Sequence, residues 1–131
     1  MARVLALDYG SARCGVALSD PTGTIVSPLP VVERPGTRRG FGAVLGLVRE
    51  HGVRTVVVGL PLGLSGHDTD QTRETREFAA RLQERVGKRV RVVLHDERFT
   101  TRMAERFGGV GDEDSRAAAH LLEGWLAGQP G

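Results

Sequence analysis

Lysine is all but missing from this chain: of 18 basic residues, Lys88 is the only lysine and the rest are arginine. Cysteine is as scarce. Cys14 stands alone, so no internal disulfide can form, and the expectation is a reducing, cytoplasmic setting. Neither Cys14 nor the four histidines (His51, His67, His95, His120) show zinc-like spacing. No run of about 18 apolar residues exists, so no membrane span is expected. The opening "MARVLALDYG" lacks the apolar stretch and cleavage site of a secretory signal. A net charge of +2 excludes a uniformly basic nucleic-acid coat. There is no internal repeat, no low-complexity block, no readable Ser/His/Asp triad and no G-x-x-x-x-G-K-[ST] phosphate loop.

What is present fits one domain with one core, residues 1–131, at 40% hydrophobic and 26% charged residues. Arg3 to Leu7 is a continuous apolar run, suited to a strand buried on both faces. Cys14 to Ser19 predicts a second strand and Thr24 to Val32 a third. "DPTG" turns the chain between them, and Pro28 and Pro30 place the third at an edge. Phe41, Val44, Leu45 and Val48 make a helical stripe that Gly52 can end. "RTVVVGL" and "RVRVVLH" predict further strands, with a helix over Gln71 to Val86 between them. A short helix is expected over Thr101 to Phe107. A last one starts near Asp114 and carries Ala118, Leu121, Leu122 and Trp125 on one stripe. A three-stranded antiparallel meander followed by alternating helices and strands predicts a five-stranded mixed sheet, with two further parallel strands, flanked by helices: an α/β fold.

Acidic residues fall at the ends of three elements. Asp8 closes the first strand, Asp96 and Glu97 close the fifth, and Asp114 continues the inward stripe of the last helix. Each has a bland reading: an Asx turn at Asp8, an ion pair with Arg98 for Asp96 or Glu97, a helix cap at Asp114. Parallel first and fifth strands, however, bring their carboxyl ends to one edge, where clustered carboxylates repel and a hard divalent cation resolves the repulsion. An oxygen-rich site without thiolate suits Mg²⁺ or Mn²⁺, and two such ions can activate water for phosphodiester cleavage. Glu97 is the favoured direct ligand, with Asp96 as ligand or support; adjacent strand residues face opposite sides, so both cannot point into the site unless the strand has ended.

"LALDYGSARCGVALSD", "VVVGLPLGLSG", "LHDERFTT" and "DSRAAAHLLEGWL", in this order, resemble the YqgF/RuvX family of the ribonuclease-H-like superfamily over about residues 3 to 126. The resemblance implies an RNase-H-like fold and a divalent-metal nuclease acting on structured nucleic acid, either a ribosomal RNA precursor (pre-16S) or a four-way DNA junction (Holliday junction). It maps the family's first-strand acid onto Asp8, its acidic pair onto Asp96 and Glu97, and its helical acid onto Asp114. Two departures stand out. The segment "FGGVGDEDS" is short and lysine-free where family members often carry a longer, lysine-containing one. Asp112 and Glu113 also crowd Asp114, although the helical stripe favours Asp114.

Two rival classes remain. An actin- or sugar-kinase-like ATPase shares the D-x-G hairpin but needs two related domains, more than 131 residues supply. A non-catalytic nucleic-acid-binding module would keep the arginines without needing the acids. If the chain turns helical after "HDE", Arg98, Arg102 and Arg106 form a stripe beside the acids, fit to hold neighbouring phosphates. The loop "GLPLGLSGHDTD" is expected to move when no substrate is bound. A monomer or a homodimer is expected; a symmetric junction favours the dimer.

Overall fold

The structure, a computed structural model, describes residues 2–96 and 113–130. Five strands are β1 (Arg3–Asp8), β2 (Arg13–Ser19), β3 (Val26–Glu33), β4 (Val53–Leu60) and β5 (Arg91–Asp96). The described helices are α1 (Arg38–Glu50), α2 (Asp70–Val86) and α3 (Glu113–Ala127). The strands form one mixed sheet in the order β3-β2-β1-β4-β5. β1, β2 and β3 pair antiparallel, while β4 runs parallel to β1 and to β5. This is the expected architecture of meander plus two parallel strands. The short helix expected over Thr101 to Phe107 lies outside the described residues.

Alternation along β1 divides the core in two. Leu5, Leu7 and Tyr9 face α1 and α2, packing with Phe41, Val44, Phe78 and Leu82. Val4 and Ala6 face the other way, against Ala118, Leu121 and Leu122 of α3. Burial on both faces is why β1 reads as an unbroken apolar run. On the α3 side the contact is built from small residues, Ala6 and Ala17 on the sheet and Ala118 and Ala119 on the helix. Small side chains let a helix backbone settle close to the strands, which gives "RAAAHLL" its shape.

Polar groups fix the helix entries. Thr37 caps α1 by accepting from the Gly40 amide at 3.1 Å. Thr69 and Thr72 form a capping box at the start of α2, and the Thr72 hydroxyl also donates to the Pro61 carbonyl at 2.5 Å. Glu77 and Arg81, spaced i, i+4 on α2, are both exposed, as a solvated charged face is. The Arg81 guanidinium also sits 4.0 Å from the Phe41 ring centroid and donates to the Gly36 carbonyl, tying α2 to the entry of α1.

Tyr9 is buried, stacks on Phe78 at 4.4 Å between centroids and donates to Glu74 Oε1 at 3.0 Å. Burial first, then the Glu74 carboxylate, pushes its phenol up to about 12 from 10.0. The folded state therefore prefers the neutral phenol. The stabilisation this gives is complete below the unfolded pKa near 10 and is lost as pH rises towards 12. Tyr9 is the only tyrosine, so ultraviolet titration of the phenol reads it alone. One transition near 12 is expected in the folded protein and one near 10 in denaturant. Coincident transitions would show that neither the burial of the phenol nor its Glu74 contact holds in solution.

Candidate active site

The site begins with β1. Successive side chains alternate, so Asp8 lies on the same face as Val4 and Ala6, the face that α3 covers. Asp8 is half-buried and pairs across the ladder with Gly15 of β2. Gly15 is where the last helix touches down. A side chain there would overlap the backbone carbonyl of Asp114 and press on the Ser115 amide. The missing Cβ thus lets the first turn of α3 rest on the residue opposite Asp8. Paired Cα atoms in an antiparallel ladder are about 5 Å apart, so this contact brings Asp114 into the neighbourhood of Asp8.

Ser115 fixes that touchdown. It is 1% exposed, its hydroxyl donates to the Leu29 carbonyl at 2.5 Å, and it accepts from the Val16 amide at 3.3 Å. One side chain therefore joins α3 to both β2 and β3. The Asp114 carboxylate, half-buried beside it, meets the Arg13 Nε at 3.2 Å. The arginine side chain is 61% exposed, so this pair contributes at most about 1 kcal/mol and can be exchanged for another cation.

The sheet row through Asp8 continues across β4 to β5. Leu7 pairs with Val58, and Gly59 pairs with His95. One step on in the same register, Gly59 lies beside Asp8 and His95 beyond it, roughly 10 Å from Asp8 across two strand spacings. His95 faces α3: a Cβ on Gly124 would stand 4.0 Å from its Nε2. Alternation then puts Asp96, which is exposed, on the opposite face from Asp8. Of the acids singled out from the sequence, the structure sets Asp8 opposite Gly15 and the Asp114 backbone on that same glycine. Glu97, Arg98, Arg102 and Arg106 lie outside the described residues.

Arg13, Ser115 and His95 were not singled out from the sequence. Gly15 could have been, because an isolated glycine inside an apolar strand marks a close backbone approach. Nothing in "YGSAR" points Arg13 at an aspartate about a hundred residues away. The loop expected to be mobile is folded on itself. Gly63 donates to the His67 carbonyl at 2.9 Å, Gly66 to the Gly63 carbonyl at 2.8 Å, and Ser65 Oγ meets His67 Nδ1 at 2.6 Å.

Among the described residues, no three His, Cys, Asp or Glu side chains are grouped to hold one ion. Asp8 and Asp114 are hard oxygen donors that both adjoin Gly15, a chemistry that fits two members of a Mg²⁺ or Mn²⁺ site. Mg²⁺ is commonly held by one or two carboxylates, with water and substrate phosphate completing the shell.

Comparison with known proteins shows the family. The family model described as Holliday junction resolvase RuvX matches residues 2–128. A protein of Maridesulfovibrio salexigens, named provisionally as a pre-16S rRNA nuclease, is 39% identical over 134 residues, covering 95% of this chain and 98% of that one. A protein of Alcanivorax borkumensis with the same name is 36% identical, covering 95% and 96%. One of Anaplasma marginale is 42% identical over 104 residues, 79% of this chain and 65% of that one. Among solved structures, T. thermophilus RuvC in complex with a Holliday junction substrate superposes with a TM-score of 0.63, covering 96% of this chain and 94% of that one. At 14% identity this likeness shows the fold alone, the RNase-H-like one.

Proposed function

Because the chain belongs to the Holliday junction resolvase RuvX family, we propose that it is a nuclease that uses Mg²⁺ or Mn²⁺ to hydrolyse phosphodiester bonds in structured nucleic acid, with a pre-16S ribosomal RNA as substrate. The observation that supports the reading is that Gly15 is both the cross-strand partner of Asp8 and the residue on which the Asp114 backbone rests. The RNA assignment rests on the names of relatives that align along nearly the whole chain. A four-way DNA junction is the second reading, favoured by the family's description. The whole chain, residues 1–131, is read as one nuclease domain.

Asp8, Glu97 and Asp114 would hold the metal, with Asp96 in support. A bound divalent cation, or a pair of them, would supply an activated water and stabilise the leaving oxygen. The chain's own contribution is placement. β1 fixes Asp8 at the carboxyl end of the central strand, and Ser115 ties the first turn of α3 to β2 and β3, which would keep Asp114 near it. Arg13 holds the Asp114 carboxylate until another cation takes it, and is then free to meet a substrate phosphate. Arg98, Arg102 and Arg106 would grip phosphates next to the scissile one. Nothing in this scheme requires a second subunit for an RNA substrate.

The deciding experiment offers purified protein a ribosomal RNA precursor, a four-way junction, duplex DNA and single-stranded RNA in parallel, with Mg²⁺ or Mn²⁺. Site-specific cleavage of the precursor supports the first reading and symmetric cuts in the junction the second. No cleavage of any substrate, with tight binding retained, would favour the non-catalytic binding module. The arginine stripe has its own test. Replacing Arg102 and Arg106 by alanine is expected to weaken substrate binding and lower the salt slope by roughly one to two. An unchanged slope would move the nucleic-acid path elsewhere, towards Arg34, Arg38 and Arg39.

A further inference from the structure

The helices α1 and α2 run back against the parallel strands, so their C-termini lie at the end of the sheet opposite Asp8. Between them opens a cavity of about 270 Å³. Leu45, Val48, Val86 and Val90 line it, continuous with the core beneath. Three arginines ring it, Arg49, Arg85 and Arg89, all exposed. Arg54, Arg91 and Lys88 are exposed at the same end of the molecule. Glu50 and Glu84 neighbour the rim in sequence but do not line the cavity. Arg49 and Arg85 stand in the last turns of their helices, where the helix dipole favours a cation. Arg89 has no such reason. It lies beyond Gly87, in a turn clamped by Gln83, whose amide donates to the Gly87 and Val90 carbonyls and accepts from the Val92 amide. Both the floor and the backbone turn that carries the third arginine are therefore preformed.

We infer that this arginine-ringed cavity is a docking site for an acidic segment of a partner protein, one that places an aliphatic side chain in the cavity and carboxylates on Arg49, Arg85 and Arg89. The volume is small for a small-molecule pocket and suits a side-chain anchor. Nucleic acid fits less well. No aromatic residue offers a stacking platform, and a phosphate backbone gains nothing from an aliphatic floor. Arginine beside an apolar pocket is the composition of interface anchor points, and the rim charge selects a partner of opposite sign. The surface does not depend on the nuclease reading, since it lies at the other end of the sheet.

The test titrates the full chain with a short synthetic peptide alternating Asp and Leu, following Val48, Val86 and Val90 methyl resonances and fluorescence anisotropy. All-Asp and alternating Lys-Leu peptides and a duplex RNA run alongside. The Asp-Leu peptide is expected to shift those methyls, and Arg49→Glu with Arg89→Glu to weaken it about tenfold or more. Cleavage of nucleic acid by that double variant is expected to stay at the parent level. Asp8→Asn is expected to bind the peptide unchanged, which separates failure here from failure of the nuclease reading. The inference is overturned if the Asp-Leu peptide leaves the methyls in place, if all-Asp binds equally well, or if the reversal weakens duplex RNA instead. Because the arginines are exposed, the reversal should fold; Arg49→Gln with Arg89→Gln, expected to show a smaller loss in the same direction, guards against the alternative.

Discussion

Asp8→Asn is expected to abolish cleavage while leaving the fold standing. The side chain is half-buried at the end of β1 and opposite Gly15, and the amide that replaces it has the same shape. What changes is charge. A neutral amide cannot offset a divalent cation and ligates it weakly. Loss of a supporting group around a metal typically costs 10–100-fold, so loss of a direct ligand should cost more than about 100-fold in cleavage. Mg²⁺ binding by calorimetry should weaken in parallel. Thermal stability without metal should hold or rise slightly, because one of two neighbouring carboxylates has lost its charge. A variant that cleaves at the parent rate in the same metal buffer would remove Asp8 from the site. A variant that loses activity only because it unfolds would assign Asp8 to the scaffold.

The frame was legible in the sequence because its signals are strong and local. The apolar run through Leu5 and Leu7, the stripe Phe41-Val44-Val48 and the stripe Ala118-Leu121-Leu122 each report burial directly, and all of these residues are buried. Pro28 and Pro30 marked β3 as an edge, where it lies. Asp8 and Asp114 could be named because each breaks its surroundings, a carboxylate ending a buried strand and a carboxylate on an inward stripe. What the sequence could not carry was contact across long separations. Arg13 meets Asp114, and Ser115 bridges Leu29 and Val16; no spacing rule predicts either. The contacts of Arg81 are a further case: the i, i+4 rule sees only the helix's own face, whereas Phe41 and Gly36 lie outside α2.

Gly15→Ala is expected to be the more damaging substitution to the fold, although it adds one methyl group and removes no charge. That methyl would overlap the carbonyl of Asp114 and stand 3.0 Å from the Ser115 amide nitrogen. Both are backbone, so neither can rotate aside. The first turn of α3 must lift, straining the Ser115 bonds to Val16 and Leu29. Overpacking costs about 1–3 kcal/mol and a buried polar group left unpaired costs about 1–3 more. For a chain of this size the melting temperature should fall by roughly 10 °C. Gly42→Ala is the control, since a Cβ there meets nothing within 4 Å on an exposed helix position; alanine should stabilise it by up to about 1 kcal/mol. The functional reading makes a further demand. Held at a temperature where it is folded, Gly15→Ala should bind Mg²⁺ more weakly than the parent, because Asp114 no longer rests opposite Asp8. If Gly15→Ala melts with the parent and binds Mg²⁺ equally well, the touchdown of α3 on β2 does not build the site. A loss of stability with unchanged Mg²⁺ affinity would make Gly15 a packing residue only and shift the metal towards Asp8 and Glu97.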